Sequence, residues 1–394
     1  MKAKFLSILC AVVVAVGCAH DSVSPQVKYA DAQFRYLVSA CEPGDTATLL
    51  PRSLSNNGDL IHETPLGWTS GFFPGALWYM YELTGDKWWE EKATRHTEIL
   101  EQVQYYTEDH DVGFMIFCSY GNGLRLTGRE EYKPIIIQAA KSLCTLYRPK
   151  AGIIHSWPDG YMVTLKGWTC AVIIDNMMNL ELLFEASKMT GDSTYAEVAI
   201  SHANATMKNH YRPDYSCYHV VDYNPENGEV FARQTAQGYA DESVWSRGQA
   251  WGLYGFTMCY RYTKNPEYLA HAEQIAEFLL NHPNMPEDLV PYWDLLCPEI
   301  PNTYRDASTA AIVASALYEL SLYSKNGVLY KEKADKMVES LSSAPYRSEL
   351  GTNHGFLLSS SVTSIPHGVD IDVPLNYADY YYLEALVRKR NIEK

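Results

Sequence analysis

The chain has 394 residues, 47% of them hydrophobic, which is ample for a large core, and a formal net charge of −15. That charge excludes a nucleic-acid binder, which needs a basic stripe. It also argues against a long polyanion gripped along an extended groove, because the protein's own field would repel it.

In chain order, the first segment reads as a processing signal. Lys2 and Lys4 give a positive start, and the apolar run Phe5 to Val16 is too short to span a bilayer as a mature helix. It ends in Ala15-Val16-Gly17-Cys18, which resembles a bacterial lipoprotein cleavage box with Cys18 as the lipidated residue. The expectation is a signal over 1–18, a single folded domain over 19–394, and export to the periplasm or, through a lipid anchor at Cys18, to the outer membrane. Seven scattered cysteines follow, with no CxxC pair and no zinc spacing, so buried free thiols are expected, with room for one bridge.

The rest repeats one unit: an apolar helix, a short Thr-Gly or Thr-Lys turn, then a more charged amphipathic helix. The pairs run from Gly67 to Tyr106, Asp111 to Tyr147, Ile173 to His210, Arg247 to Leu280 and Asp306 to Leu341, with single helices at Lys28 to Ala40 and Leu375 to Arg390. Glycines sit where a helix C-terminus wants a left-handed residue, and Pro266 sits where a helix start tolerates it. The first helix of each pair is apolar nearly all round and should be buried; the second has a polar face and should lie outside. Twelve helices in buried-then-exposed pairs of unequal spacing predict a closed all-α toroid rather than a regular solenoid. The longer connections precede the inner helices and should gather on one rim, where chemistry usually sits. The Tyr215–Asn227 stretch, ending in Pro225-Glu226-Asn227-Gly228, reads as a small hairpin.

Asp175 stands among apolar residues in Ala171-Val-Ile-Ile-Asp175-Asn-Met-Met-Asn179. Burial there should raise its pKa toward a value useful for donating a proton, and Asn179, one helical turn on, is placed to hydrogen-bond it. Asp111 opens another inner helix. The bland alternative for both is an N-cap. Two aspartates at the same end of neighbouring buried helices would instead face one cavity, and paired carboxylates are the usual equipment for acid/base work on sugars. Arg247 and Trp251 share a helical face; an arginine on an apolar helix needs an anionic partner, either a protein aspartate or a substrate carboxylate. There is no GxSxG, phosphate-binding loop or HExxH motif.

Several motifs together resemble the unsaturated glucuronyl hydrolases of glycoside hydrolase family 88. They are Gly67-Trp68-Thr-Ser-Gly71-Phe, His110-Asp111-Val-Gly113-Phe, Ile174-Asp175-Asn-Met-Met-Asn179-Leu, Gln237-Gly238-Tyr, Trp245-Ser-Arg247-Gly-Gln-Ala-Trp251-Gly, Arg305-Asp306-Ala-Ser and Asp379-Tyr-Tyr-Tyr-Leu-Glu384. The resemblance implies an (α/α)6 toroid, with Asp175 as general acid/base and Asp111 as its essential companion. Trp68, His219, Gln237, Arg247 and Trp251 would contact the sugar, the match at His219 resting on its spacing from Gln237. It further implies an unsaturated uronyl di- or oligosaccharide as substrate, with no cofactor and no metal. Some relatives bind a substrate sulfate through two serines and a lysine. Ser361 and Ser364 match the serines, but Pro366 stands at the lysine's place, so no preference for sulfated substrates carries over. Two alternatives remain at this stage: an unsaturated rhamnogalacturonyl hydrolase acting on pectin fragments, and a non-catalytic surface glycan-binding lipoprotein.

Overall fold

The computed structural model describes residues 24–41, 50–158 and 161–394. The expected signal and Cys18 lie outside the described residues.

The helices are α1 (Pro25–Cys41), α2 (Phe72–Thr84), α3 (Lys87–Glu98), α4 (Val112–Ile116), α5 (Asn122–Thr127), α6 (Tyr132–Cys144), a short α7 (Tyr161–Lys166), α8 (Leu180–Thr190), α9 (Ser193–Asn209), α10 (Ser246–Thr263), α11 (Pro266–Leu280), α12 (Ala307–Ser321), α13 (Gly327–Leu341) and α14 (Asn376–Glu393). One wide turn, Phe117–Gly121, joins α4 to α5, so the two act as a single inner rod. The inner ring runs α2, α4–α5, α8, α10, α12, α14 and back to α2, with α1, α3, α6, α9, α11 and α13 outside. This is the (α/α)6 toroid.

Burial separates the two rings. In α12 every residue from Ala307 to Leu320 is buried, whereas α3 buries only Trp89, Ala93, His96 and Thr97, a single stripe at helical spacing. The turns between partners follow one local code. Gly85, Gly128 and Gly191 close their helices in the left-handed conformation that glycine adopts without steric cost. Directly after two of them, Asp86 and Asp192 accept a hydrogen bond from the second amide of the next helix. Lys264 takes the glycine's place before α11, and Asn265 and Pro266 start that helix.

The connections leading into inner helices carry short antiparallel strands: β1 (Pro51–Leu54) with β2 (Leu60–His62), β3 (Tyr147–Arg148) with β4 (Ile153–Ile154), β5 (Ala171–Ile173) with β6 (Val220–Tyr223) and β7 (Val230–Gln234), and β8 (Ser361–Ser364) with β9 (Val369–Val373). Single bridges, Trp245 to Asp294 and Tyr292 to Arg305, stitch further loops at the same rim. The expected hairpin exists but lies further along the chain: Pro225 to Gly228 are in its turn, between β6 and β7. All seven cysteines in the described residues are free thiols, with no bridge.

Candidate active site

Asp111 and Asp175 sit at the rim where the inner helices begin. Asp111 occupies the residue before α4, and Asp175 lies in a tight 3-10 turn, Ile174–Asn179, that precedes α8. Asp86, Asp192 and Asp306 all cap their helices with their side chains, whereas Asp111, in a cap position, does not. The capping alternative therefore fails where it was strongest. Asp111 and Asp175 keep 8% and 7% of their surface exposed, enough to meet a ligand in an otherwise dry setting.

The small sheet places a histidine against Asp175. Pairing of β5 with β6 sets Ile173 opposite Val220, and the Ile174 amide donates to the His219 carbonyl. His219 Nε2 then stands 3.7 Å from Asp175 Oδ2. Its Nδ1 accepts from the backbone amides of Ala236 and Gln237, at 3.1 and 3.2 Å, so the ring's proton must reside on Nε2. The spacing between His219 and Gln237 thus has a structural cause. Burial pushes this imidazole well below its ordinary pKa, and nearby Arg247 adds to the effect.

Burial raises the Asp175 carboxyl to about 6, against the opposing pull of Arg247, His110 and the Trp251 indole N–H. Burial also pushes Asp111 well above the usual carboxylate range, opposed by His110 and reinforced by Asp109 and Asp175. Asp175 raises the proton affinity of Asp111, and both acids feel His110, as expected for titrating groups close to one another. Asn179 binds Asp111 rather than Asp175. Its Nδ2 donates to Asp111 Oδ1 at 3.3 Å while its Oδ1 accepts from the Phe114 amide at 2.8 Å. The 3-10 turn explains the departure, since three residues per turn do not stack i+4 above i as an α-helix does.

Arg247 is 1% exposed, and its anionic partner belongs to the protein: one terminal nitrogen meets Asp306 Oδ2 at 3.2 Å and the Val362 carbonyl, and the other donates to the Thr363 carbonyl at 2.7 Å. Only Nε lacks a partner. Its charge still reaches Asp175. Trp251 is fully buried, packed between Phe114 and Tyr381 at 5.4 Å from each. Trp68 is half-buried over Tyr377, ring centres 5.1 Å apart. Gln237 is half-buried beside His219. An open groove of about 700 Å³, bordered by Tyr239, Trp293, Tyr304, Ile365 and Pro366, lies next to this cluster along the chain. Another cavity of about 500 Å³ lies along the barrel beneath the acids, reaching toward the far ends of the inner helices; there Arg261 pairs with Glu181 and Glu319 at 2.9 and 3.0 Å, and Arg125 with Glu82 at 2.6 Å. Of its other lining acids, Glu185 pairs with Lys188 at 2.8 Å and Glu384 lies 3.5 Å from Arg388.

His110 was passed over as a chemical group in the sequence. It is fully buried between Asp109 and Asp111, and Asp109, His110 and Asp111 have ligand atoms within 4.8 Å of one another. Nδ1 faces the Ser156 carbonyl at 3.2 Å, an oxygen that can only accept, so that nitrogen carries a proton.

Comparison with known proteins agrees with this geometry. Residues 52–389 match the sequence profile of Glycosyl Hydrolase Family 88. The chain is 46% identical over 348 residues to an unsaturated glucuronyl hydrolase of Formosa agariphila, covering 88% of this chain and 86% of that one. It is 34% identical over 331 residues to an unsaturated chondroitin disaccharide hydrolase of Streptococcus agalactiae, covering 82% and 81%. The crystal structure of an unsaturated glucuronyl hydrolase specific for heparin superposes with a TM-score of 0.89 at 44% identity, over 93% of this chain and 97% of that one. The chain belongs to glycoside hydrolase family 88 and is a glycoside hydrolase.

Proposed function

We propose that the protein removes a 4,5-unsaturated uronic acid from the non-reducing end of glycosaminoglycan oligosaccharides that a polysaccharide lyase has produced. The carrying observation is the pair of buried, non-capping acids at one rim, with Asp175 held near a pKa of about 6. The names of the similar proteins support the substrate class.

The terminal sugar has a C4–C5 double bond attached to its ring oxygen. Asp175, protonated, gives its proton to C4, and positive charge develops on C5 and the ring oxygen. Asp111, the second carboxyl of the pair, faces that developing charge and helps to stabilise it. The Asp175 carboxylate then takes a proton from water as the oxygen of that water bonds to C5. The hemiketal opens, and the neighbouring sugar leaves. Acid and conjugate base are the same side chain, so a pKa close to working pH serves both halves. Trp68 offers a flat face to the ring, while Gln237, His219 Nε2–H and Trp251 Nε1–H line the reacting end; Arg247 contributes its charge and its free Nε–H. Ser364 is already bonded to His367 Nδ1 at 2.7 Å, so a sulfate is not needed to satisfy that loop.

The test is a panel of lyase-made unsaturated disaccharides, from glycosaminoglycans and from pectin. Loss of the alkene's ultraviolet absorbance with glycosaminoglycan members supports the proposal. Loss only with pectin fragments shifts it to the rhamnogalacturonyl reading, and unchanged absorbance throughout refutes hydrolysis. Export with a lipid on Cys18 is part of the same proposal; Cys18→Ser should move the protein from the membrane fraction to the soluble one.

A further inference from the structure

A terminal sugar that reacts at Asp175 must leave room for the sugar it is joined to. We propose that the open groove of about 700 Å³ beyond Gln237 holds that leaving sugar on its aromatic walls, and that its lone acid, Glu299, selects a leaving sugar without sulfate. The inference rests on the proposed function and concerns the part of the substrate that the two acids do not touch.

The walls of the groove grow out of segments that hold the site. Gln237 is bonded to the His219 ring, and two residues on, the Tyr239 amide donates to Asp294 Oδ2 at 2.9 Å. Trp293, just before Asp294, accepts from the Ser246 amide through its carbonyl and donates to the Tyr304 carbonyl, both at 3.1 Å. Trp245, next to Ser246, lies against His219 with ring centres 4.3 Å apart. A second stretch of lining, Ile365 and Pro366, follows Thr363, whose carbonyl receives Arg247. The groove is thus built onto the same backbone that positions His219 and Arg247.

Its lining suits an uncharged sugar. Tyr239 and Tyr304 leave 48% and 45% of their surface open, while Trp293 is buried and fixed by its indole N–H on Thr303. A pyranose has C–H groups on its faces and hydroxyls at its edge, and flat rings with polar tips can meet both. The volume falls within the range of about 300–1,000 Å³ that small-molecule sites occupy. Among the described residues no lysine or arginine lines the groove, and exposed Glu299 does. Arg305, next to Tyr304, turns to Asp288 and the Val290 carbonyl, and His367, next to Pro366, is bonded through Nδ1 to Ser364. A sulfate placed there would meet a like charge.

The test is kinetics on two unsaturated disaccharides that differ only by a sulfate on the second sugar. The wild-type enzyme should have the higher kcat/KM on the unsulfated one, by roughly fivefold, the effect of two unit charges about 4 Å apart in water. The gap should narrow as salt rises, and Glu299→Gln should narrow it at low salt. Tyr239→Ala and Tyr304→Ala should each raise KM by about fivefold to twentyfold, with kcat within about threefold. If both tyrosine variants show native circular dichroism and the wild-type KM, the groove does not hold the leaving sugar. Equal use of the two substrates, or a gap that Glu299→Gln leaves unchanged, overturns the selection. A wild-type enzyme that leaves every unsaturated disaccharide intact instead defeats the functional reading beneath it.

Discussion

Removing Asp306 should damage the molecule more than its distance from the reacting acids suggests. Asp306 Oδ2 is the carboxylate partner of Arg247, both side chains being 1% exposed, and its Oδ1 accepts from the Ser308 amide to cap α12. Breaking a buried ion pair by deleting one partner costs about 3–5 kcal/mol, because the remaining charge stays dry and unpaired. Loss of a cap adds about 1 kcal/mol. For 394 residues, an unfolding entropy of about 2.1 cal/mol/K per residue gives roughly 0.8 kcal/mol per degree, so Asp306→Ala should lower Tm by about 5–7 °C. Thermal unfolding followed by circular dichroism reads this directly. Adding Arg247→Met removes the stranded charge and should restore part of the loss, which tests the cause as well as the size. A fall below about 1 °C, or a double variant worse than the sum of its parts, refutes the argument.

Gly113→Ala would place a Cβ 2.5 Å from Asn179 Oδ1 and 2.7 Å from its Cα. The overlap should cost about 1–3 kcal/mol and displace the amide that holds Asp111, lowering kcat; urea unfolding and turnover assays check both. The kcat profile of the wild-type enzyme should fall as pH rises through about 6, where Asp175 loses the proton it must donate; a rate still climbing at pH 8 contradicts the assignment. Asn179→Ala should impair turnover by leaving Asp111 without its amide partner, and should do so while Asp175 keeps its surroundings, so the alkaline limb near pH 6 should stay in place. A limb that moves would show that Asn179 itself sets the proton affinity of Asp175.

The ring of helices was legible because burial is written into each helix separately: α12 is apolar all round, α3 only along one stripe, and the Gly85-Asp86 and Gly191-Asp192 turns carry their own stop and start signals. Asp175 stood out for the same local reason, an acid in an apolar run. What stayed hidden depends on distant backbone. The strand Ala171–Ile173 is three apolar residues continuous with the turn after it, so nothing local separates it from helix until β6 supplies its partner. α-Helical spacing points Asn179 at Asp175, but a 3-10 turn does not obey that spacing. His110 Nδ1 meets the carbonyl of Ser156, 46 residues away, and the partner of Arg247 is the residue that caps α12, 59 residues on. Motif matching found these side chains, but only the fold shows which groups hold them.

Asp175→Asn is the most direct measurement. The amide keeps the shape of the carboxyl but cannot donate its proton to C4 or recover one from water. On an unsaturated glycosaminoglycan disaccharide the variant should show native circular dichroism and no loss of alkene absorbance. A folded variant that consumes the alkene at close to the wild-type rate would mean that another group delivers the proton.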